Sequence, residues 1–204
     1  NGETPLFAYY PYSANAGSDR TAITLSLPTE QDVTRFGDYD YKSSVSSVAK
    51  ASSTTLDFKG LMSVIRISVN AVDTELAGCH LTSVTFTALP LNEGDAAPAV
   101  SGDFVLNLET RTTKFGGTTY DYARLVWPTS HDLAESVAVG NVQINPDAVH
   151  NGTKYVVVID TEEGKRATVT TSTSKDFAPN TRYTMTLNLA NRTDVVYSDI
   201  ATEE

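Results

Sequence analysis

Three histidines, His80, His131 and His150, and several close-set carboxylates are the groups in this chain best equipped for chemistry. The histidines lie far apart in sequence and none falls in a ligand spacing such as HExxH, so no histidine metal site is expected. His80 shares strand parity with Val84 and Phe86, which predicts a partly buried, hydrogen-bonded structural residue. Ser130-His131-Asp132 has the residue types of a hydrolytic triad, but adjacent side chains point in different directions and no GxSxG elbow exists. Asp38 and Asp40 lie two apart and share a face if that run is extended, where their oxygens could hold Ca²⁺. A solvated edge that uses charge to block unwanted pairing is the simpler reading. Asp160, Glu162 and Glu163 crowd one turn, yet Lys165 and Arg166 follow at once and supply local ion pairs. The sequence therefore predicts no catalytic residue, no cofactor and no metal.

The elements that must carry these residues are strands. Period-2 alternation dominates the 204 residues, Thr, Val, Tyr and Ile recur, and no convincing amphipathic helix is present, so an all-β chain is expected. The clearest strands are 22–27, 61–70, 81–88, 103–108, 120–127, 155–160, 167–171 and 183–189. Tyr183, Met185, Leu187 and Leu189 face inward in the last of these, and the apolar run from Tyr155 to Ile159 predicts a central strand. Glu162-Glu163-Gly164-Lys165 reads as a hairpin turn, and Gly116-Gly117 as the approach to another strand. Successive antiparallel hairpins are the natural topology. Trp127-Pro128 reads as a core plug with a proline stop, and short helical turns are expected near 28–33 and 130–137. The sequons at Asn151 and Asn191 read as turns.

A net charge of −10 opposes binding to nucleic acid and to anionic membranes. Cys79 is the single cysteine, which excludes an intramolecular disulfide. Tyr9, Tyr10, Tyr12, Tyr39 and Tyr41 concentrate in the front of the chain, either as core lining with hydroxyls reaching water or as a platform for sugar rings. Ser43 to Thr55 is Ser-rich and reads as a linker. It sets an expected boundary: residues 1–50 as the remnant of an N-terminal β domain plus linker, and 51–204 as a C-terminal β-sandwich. Leu56 to Val69 would be that sandwich's first strand, with Leu61, Ile65, Ile67 and Val69 on one face and Met62 and Val64 on the other. A strand apolar on both faces at one end is expected to meet another domain or subunit there.

Four stretches in order carry a family resemblance: Phe7-Ala8-Tyr9-Tyr10-Pro11-Tyr12; Leu25-Ser26-Leu27-Pro28 with Gln31 just after; Asp38-Tyr39-Asp40-Tyr41; and the run from Leu56-Asp57-Phe58-Lys59-Gly60 to Ile67. They span about the first third of the chain, which resembles the fimbrillin-like proteins of the Bacteroidales, subunits and accessory subunits of an adhesive pilus. The family commonly has His where Gly60 stands here. The resemblance implies transthyretin-like sandwich domains and a lipoprotein precursor exported to the outer membrane. It also implies assembly by strand insertion, in which proteolysis of an N-terminal strand opens a groove for a donor, as β-augmentation allows.

The expected function is that of a non-enzymatic subunit of a fimbria at the cell surface, partnered by other fimbrial subunits and by a surface ligand of the host or of another bacterium. A glycan-binding sandwich module is the alternative. The candidate assembly residues are Leu61, Met62, Val64, Ile65, Ile67 and Val69 for the seam, with Val195, Val196 and Tyr197 as the exchanged strand. Because the chain opens on Asn1 rather than Met, its native start is expected to lie upstream.

Overall fold

The structure, a computed structural model, describes residues 2–14, 16–49, 53–134 and 137–200. Its strands in chain order are β1 (Thr4–Tyr10), β2 (Ile23–Leu27), β3 (Glu30–Asp32), β4 (Lys42–Val48), β5 (Lys59–Gly60), β6 (Ser63–Asn70), β7 (His80–Ala88), β8 (Ser101–Asn107), β9 (Thr112–Tyr120), β10 (Tyr122–Asp132), β11 (Ala138–Ile144), β12 (Lys154–Thr161), β13 (Lys165–Ser172), β14 (Thr181–Asn188) and β15 (Val195–Asp199). A one-turn helix, α1 (Phe36–Tyr39), and two 3₁₀ turns complete the described elements. Every strand expected from alternation is present, with ends shifted by a few residues.

A six-stranded sheet in the order β15-β13-β12-β7-β10-β3 faces a three-stranded sheet, β11-β6-β14. Their inner faces meet in the larger core. Val84, Phe86, Leu125, Val157, Ile159 and Val169 come from one side, and Ile65, Ile67, Val69, Val142, Ile144 and Leu187 from the other. This is an all-β sandwich. The run from Tyr155 lies centrally, as expected, between β13 and β7. Two further sheets, β1-β4-β5 and β2-β8-β9, enclose a second core. Ile23, Leu25 and Leu27 pack there with Phe104, Leu106, Tyr41, Leu61 and Met62.

That second core crosses the expected boundary at residues 50 and 51. β2 pairs with β8, β4 with β5 and β3 with β10, so the front segment finds its partners beyond that point. Two or three short strands cannot close a core alone.

Several expectations are corrected. Residues 43–48 of the expected linker lie in β4, paired along its length with β1. Its small Ser43 and Ser44 are buried, and a search for apolar residues overlooks them. Residues 30–32 and 130–132 are strand, not helical turns. Asp38 and Tyr39 sit in α1 and not on an extended edge. Gly116 and Gly117 lie inside β9, where the register with β8 shifts. Pro128 does not stop β10; the strand continues to Asp132 through a register shift between Val126 and His131, which is how a sheet accommodates proline. The stretch from Leu56 is not one strand: Leu56 to Phe58 is irregular, and Leu61-Met62 separates β5 from β6. The topology also includes parallel pairs, β14 with β6 and β3 with β10.

Candidate functional site: a stitched flank and an open flank

The two flanks of the large sandwich differ, and the difference begins with single residues. At one flank, β3 and β10 approach β11. The Gln31 side chain, wholly buried, donates from Nε2 to the Gln143 carbonyl at 2.7 Å and accepts at Oε1 from the Gln143 N–H at 2.8 Å. A side-chain amide thus does for β11 what a neighbouring strand would do. Packing is tight beside it: a Cβ on Gly140 would lie 2.4 Å from Leu125 Cδ2 and 3.2 Å from Trp127 Cζ2. Trp127 is accordingly half-buried against the larger core.

The other flank is open. Among the described residues β14 has β6 as a hydrogen-bonded neighbour on one side only, and β15 has only β13. Between β14 and the end of β13 runs a cleft of about 460 Å³, in which Ile65, Tyr155, Phe177, Tyr183 and Met185 give apolar surface among polar residues of the Ser172–Lys175 segment and of β14. Phe177 and Tyr183 stack with centroids 3.9 Å apart, and the Tyr183 hydroxyl is held between the Ala178 N–H and the Asp176 carbonyl. Unpaired strand N–H and C=O groups beside half-covered apolar side chains are the chemistry of β-augmentation.

The residues expected to form the seam lie mostly inside the chain. Ile65, Ile67 and Val69 are in the larger core, and Leu61 and Met62 in the second. Val64 is half-buried on the outer face of β6. Met62 thus meets the second core of its own chain. Val195 and Tyr197 touch the larger core from the edge strand β15, while Val196 is 65% exposed. β15 pairs with β13 over five residues, and its end is fixed by the Ile200 N–H on the Gly164 carbonyl at 2.6 Å and by the Lys165–Asp199 ion pair. The cleft at β14 was not legible in the sequence, because alternation at Tyr183 and Met185 shows which face is inward and not whether a neighbour strand exists.

The other candidates disperse. His80 is partly buried and hydrogen-bonded, as expected: its Nδ1 lies 2.6 Å from Glu163 Oε1, and its backbone N–H donates to Glu163 Oε2 at 2.9 Å. Desolvation pushes the Glu163 carboxyl up, but the hydrogen bonds from His80 outweigh it and hold its pKa at about 2. The same hydrogen bond raises that of His80. The His150 Nδ1 lies 3.7 Å from Asp176 Oδ1. Among the described residues no three His, Cys, Asp or Glu side chains gather to hold a metal. Asp160 pairs bidentately with Arg166, as the charge order predicts. The front tyrosines divide between core and surface, Tyr10 being exposed. Tyr41 is buried with its hydroxyl donating to the Ser26 carbonyl at 2.6 Å, Tyr9 and Tyr39 pack against the second core, and Tyr12 is exposed.

A family model described as fimbrillin-like matches residues 1–202. The chain belongs to the fimbrillin-like family. Its fold is shared with a candidate cell adhesion protein from Bacteroides ovatus ATCC 8483, at TM-score 0.59 and 17% identity over 100% of this chain and 70% of that one. A second, from Bacteroides uniformis ATCC 8492, gives TM-score 0.62 and 17% identity over 98% of this chain and 73% of that one. No curated protein sequence matches the chain. Membership in the fimbrillin-like family supports a pilus or adhesion subunit role and a location at the cell surface. Among the described residues no helix is long and apolar enough to cross a membrane.

Proposed function

We propose that this fimbrillin-like chain is a structural, non-catalytic fimbrial subunit that polymerises by strand exchange, the open flank at β14 receiving a strand from the next copy. The observation that carries the proposal is the contrast between flanks: Gln31 closes one, while β14 lines a cleft of mixed apolar and polar surface and, among the described residues, has no second neighbour.

β15 is the strand proposed to be given up. It is a five-residue edge strand laddered to β13 alone, with Val195 and Tyr197 as its side-chain contacts to the core, so its local opening costs less than global unfolding. Its alternation would place Val195 and Tyr197 over Met185 and Tyr155 of a neighbour while its backbone pairs with β14. In this reading Ile65, Ile67 and Val69 act as the floor beneath the seam, Val64 lies on the outer face beside it, and Leu61 and Met62 hold β6 to the second core. Partners are further fimbrial subunits, and outer-membrane attachment lies with the assembled fibre.

Limited proteolysis of the longer precursor followed by electron microscopy tests the proposal. Fibres that grow only after cleavage support it; a product that stays monomeric at high concentration contradicts it.

A further inference from the structure

We propose that the outer face of β11-β6-β14 is a binding site for an anionic polysaccharide, with Arg66 and Arg182 as the groups that take its carboxylates or sulfates. The inference does not depend on strand exchange. It begins from composition: in a chain of net charge −10, the three strands of this sheet contain no Asp, Glu or Lys and two arginines.

Both arginines are exposed and point outward. Arg66 is opposite Thr184 in the parallel β6–β14 pair, and Arg182 is one outward position away on β14, which puts their Cα atoms roughly 8 Å apart by strand geometry. Of the other arginines, Arg20, Arg35, Arg124, Arg166 and Arg192 each hold a carboxylate, while among the described residues Arg111 and the lysines Lys59, Lys114 and Lys154 stand singly on other parts of the surface. Among the described residues neither Arg66 nor Arg182 has a carboxylate within ion-pair distance, and neither does Lys175, which shares the β14 cleft with Arg182. Three unneutralised cations thus run from the sheet face around its β14 edge.

The surroundings favour a saccharide over a protein. Thr184 and Thr186 are exposed hydroxyls on the same face, and Asn141 lies opposite Arg66 on β11, its Oδ1 turned away from the surface. Hydroxyl and amide groups match sugar hydroxyls, and a guanidinium fork matches a planar carboxylate or a sulfate. Among the described residues the outward positions of the three strands carry no aromatic anchor of the kind that dominates protein interfaces, their most exposed apolar residue being Val139; Phe36 borders the face beside Val64 and Arg182.

The test is binding of the full chain to immobilised heparin, polygalacturonate and poly-L-glutamate at low and physiological salt. Retention on heparin, polygalacturonate or both, weakened by salt, is expected; the pattern distinguishes sulfate from carboxylate as the preferred group. The double variant R66Q/R182Q should raise Kd by at least about tenfold, the loss expected when charged hydrogen bonds are removed. K114Q/K154Q removes the same net charge from exposed sites outside this sheet and should leave Kd unchanged, with thermal melting confirming that both variants fold. Absence of binding to both polysaccharides, an equal loss in the control variant, or equally tight binding to poly-L-glutamate would each overturn the proposal.

Discussion

Gln31 and Gln143, 112 residues apart, are joined by a reciprocal pair of hydrogen bonds in which a side-chain amide mimics a strand's peptide group. The pair ties the six-stranded sheet to β11 where no strand continues the ladder. A third contact, from Gln31 Nε2 to the Pro28 carbonyl at 3.2 Å, fixes the side chain from its own loop. The motif that ends at Gln31 therefore has a physical task.

Gln31→Ala is expected to cost about 2–3 kcal/mol, since it strands the Gln143 N–H and C=O in a dry flank. Gln31→Glu keeps the acceptor and loses the donor, and burial raises the new carboxyl's folded pKa above its unfolded value of about 4.3. Its deficit should thus be small in acid and grow as pH rises through that unfolded value. Urea unfolding of both variants at several pH values measures this.

Gly102 predicts a larger effect. Its φ is +110°, and a Cβ there would lie 2.3 Å from the Thr118 carbonyl oxygen and 2.7 Å from Thr119 Cα. Both obstacles are backbone and cannot rotate away. Gly102→Ala should destabilise by about 3 kcal/mol or more, whereas Gly78→Ala, with its φ of +79° and open space around it, should cost less. Thermal melting of the two variants gives the comparison.

The alternation of Tyr183, Met185 and Leu187, the hairpin at Gly164 and the central place of Val157 and Ile159 were all legible, because each depends on residues near one another in sequence. β4 was not, because its buried positions are the serines Ser43 and Ser44 and a small polar side chain gives no hydrophobic signal. Pro128 misled for a similar reason: a bulge lets the strand pass a residue that ordinarily ends it. The parallel pairing of β14 with β6 joins segments more than a hundred residues apart and decides which edge stays bare. No local pattern encodes it, so the open flank was invisible while its residues were not.

The His80–Glu163 contact predicts a pH-dependent latch. Glu163 has a depressed folded pKa, about 2, so its contribution is present above the unfolded carboxylate range and is lost as pH falls toward 2. His80 has a raised one, so its contribution is complete below about 6.5 and is lost as pH rises through the folded value. The latch should matter most between about pH 5 and 6.5. Both side chains are partly solvated, so the gain is modest. The difference in urea midpoint between the parent chain and E163Q, followed across pH, should peak in that window and shrink on either side.

The same latch holds the turn from which β15 hangs, since the Glu162 N–H donates to the His80 carbonyl and Ile200 to Gly164. E163Q is therefore expected to speed amide hydrogen exchange in residues 195–199 more than in β7, as read by mass spectrometry. Equal acceleration in both would mean that the turn does not hold the edge strand.

Strand exchange at the open flank is tested most directly by a cross-link between copies. In a Cys79→Ser background, chains carrying Thr184→Cys are mixed with chains carrying Val196→Cys under mild oxidation, after proteolytic activation of the precursor. A disulfide-linked product that forms in the mixture and not in either variant alone is the predicted result, because it places one copy's β15 against another's β14. No mixed product, or the same amount in each variant alone, would contradict assembly through this flank.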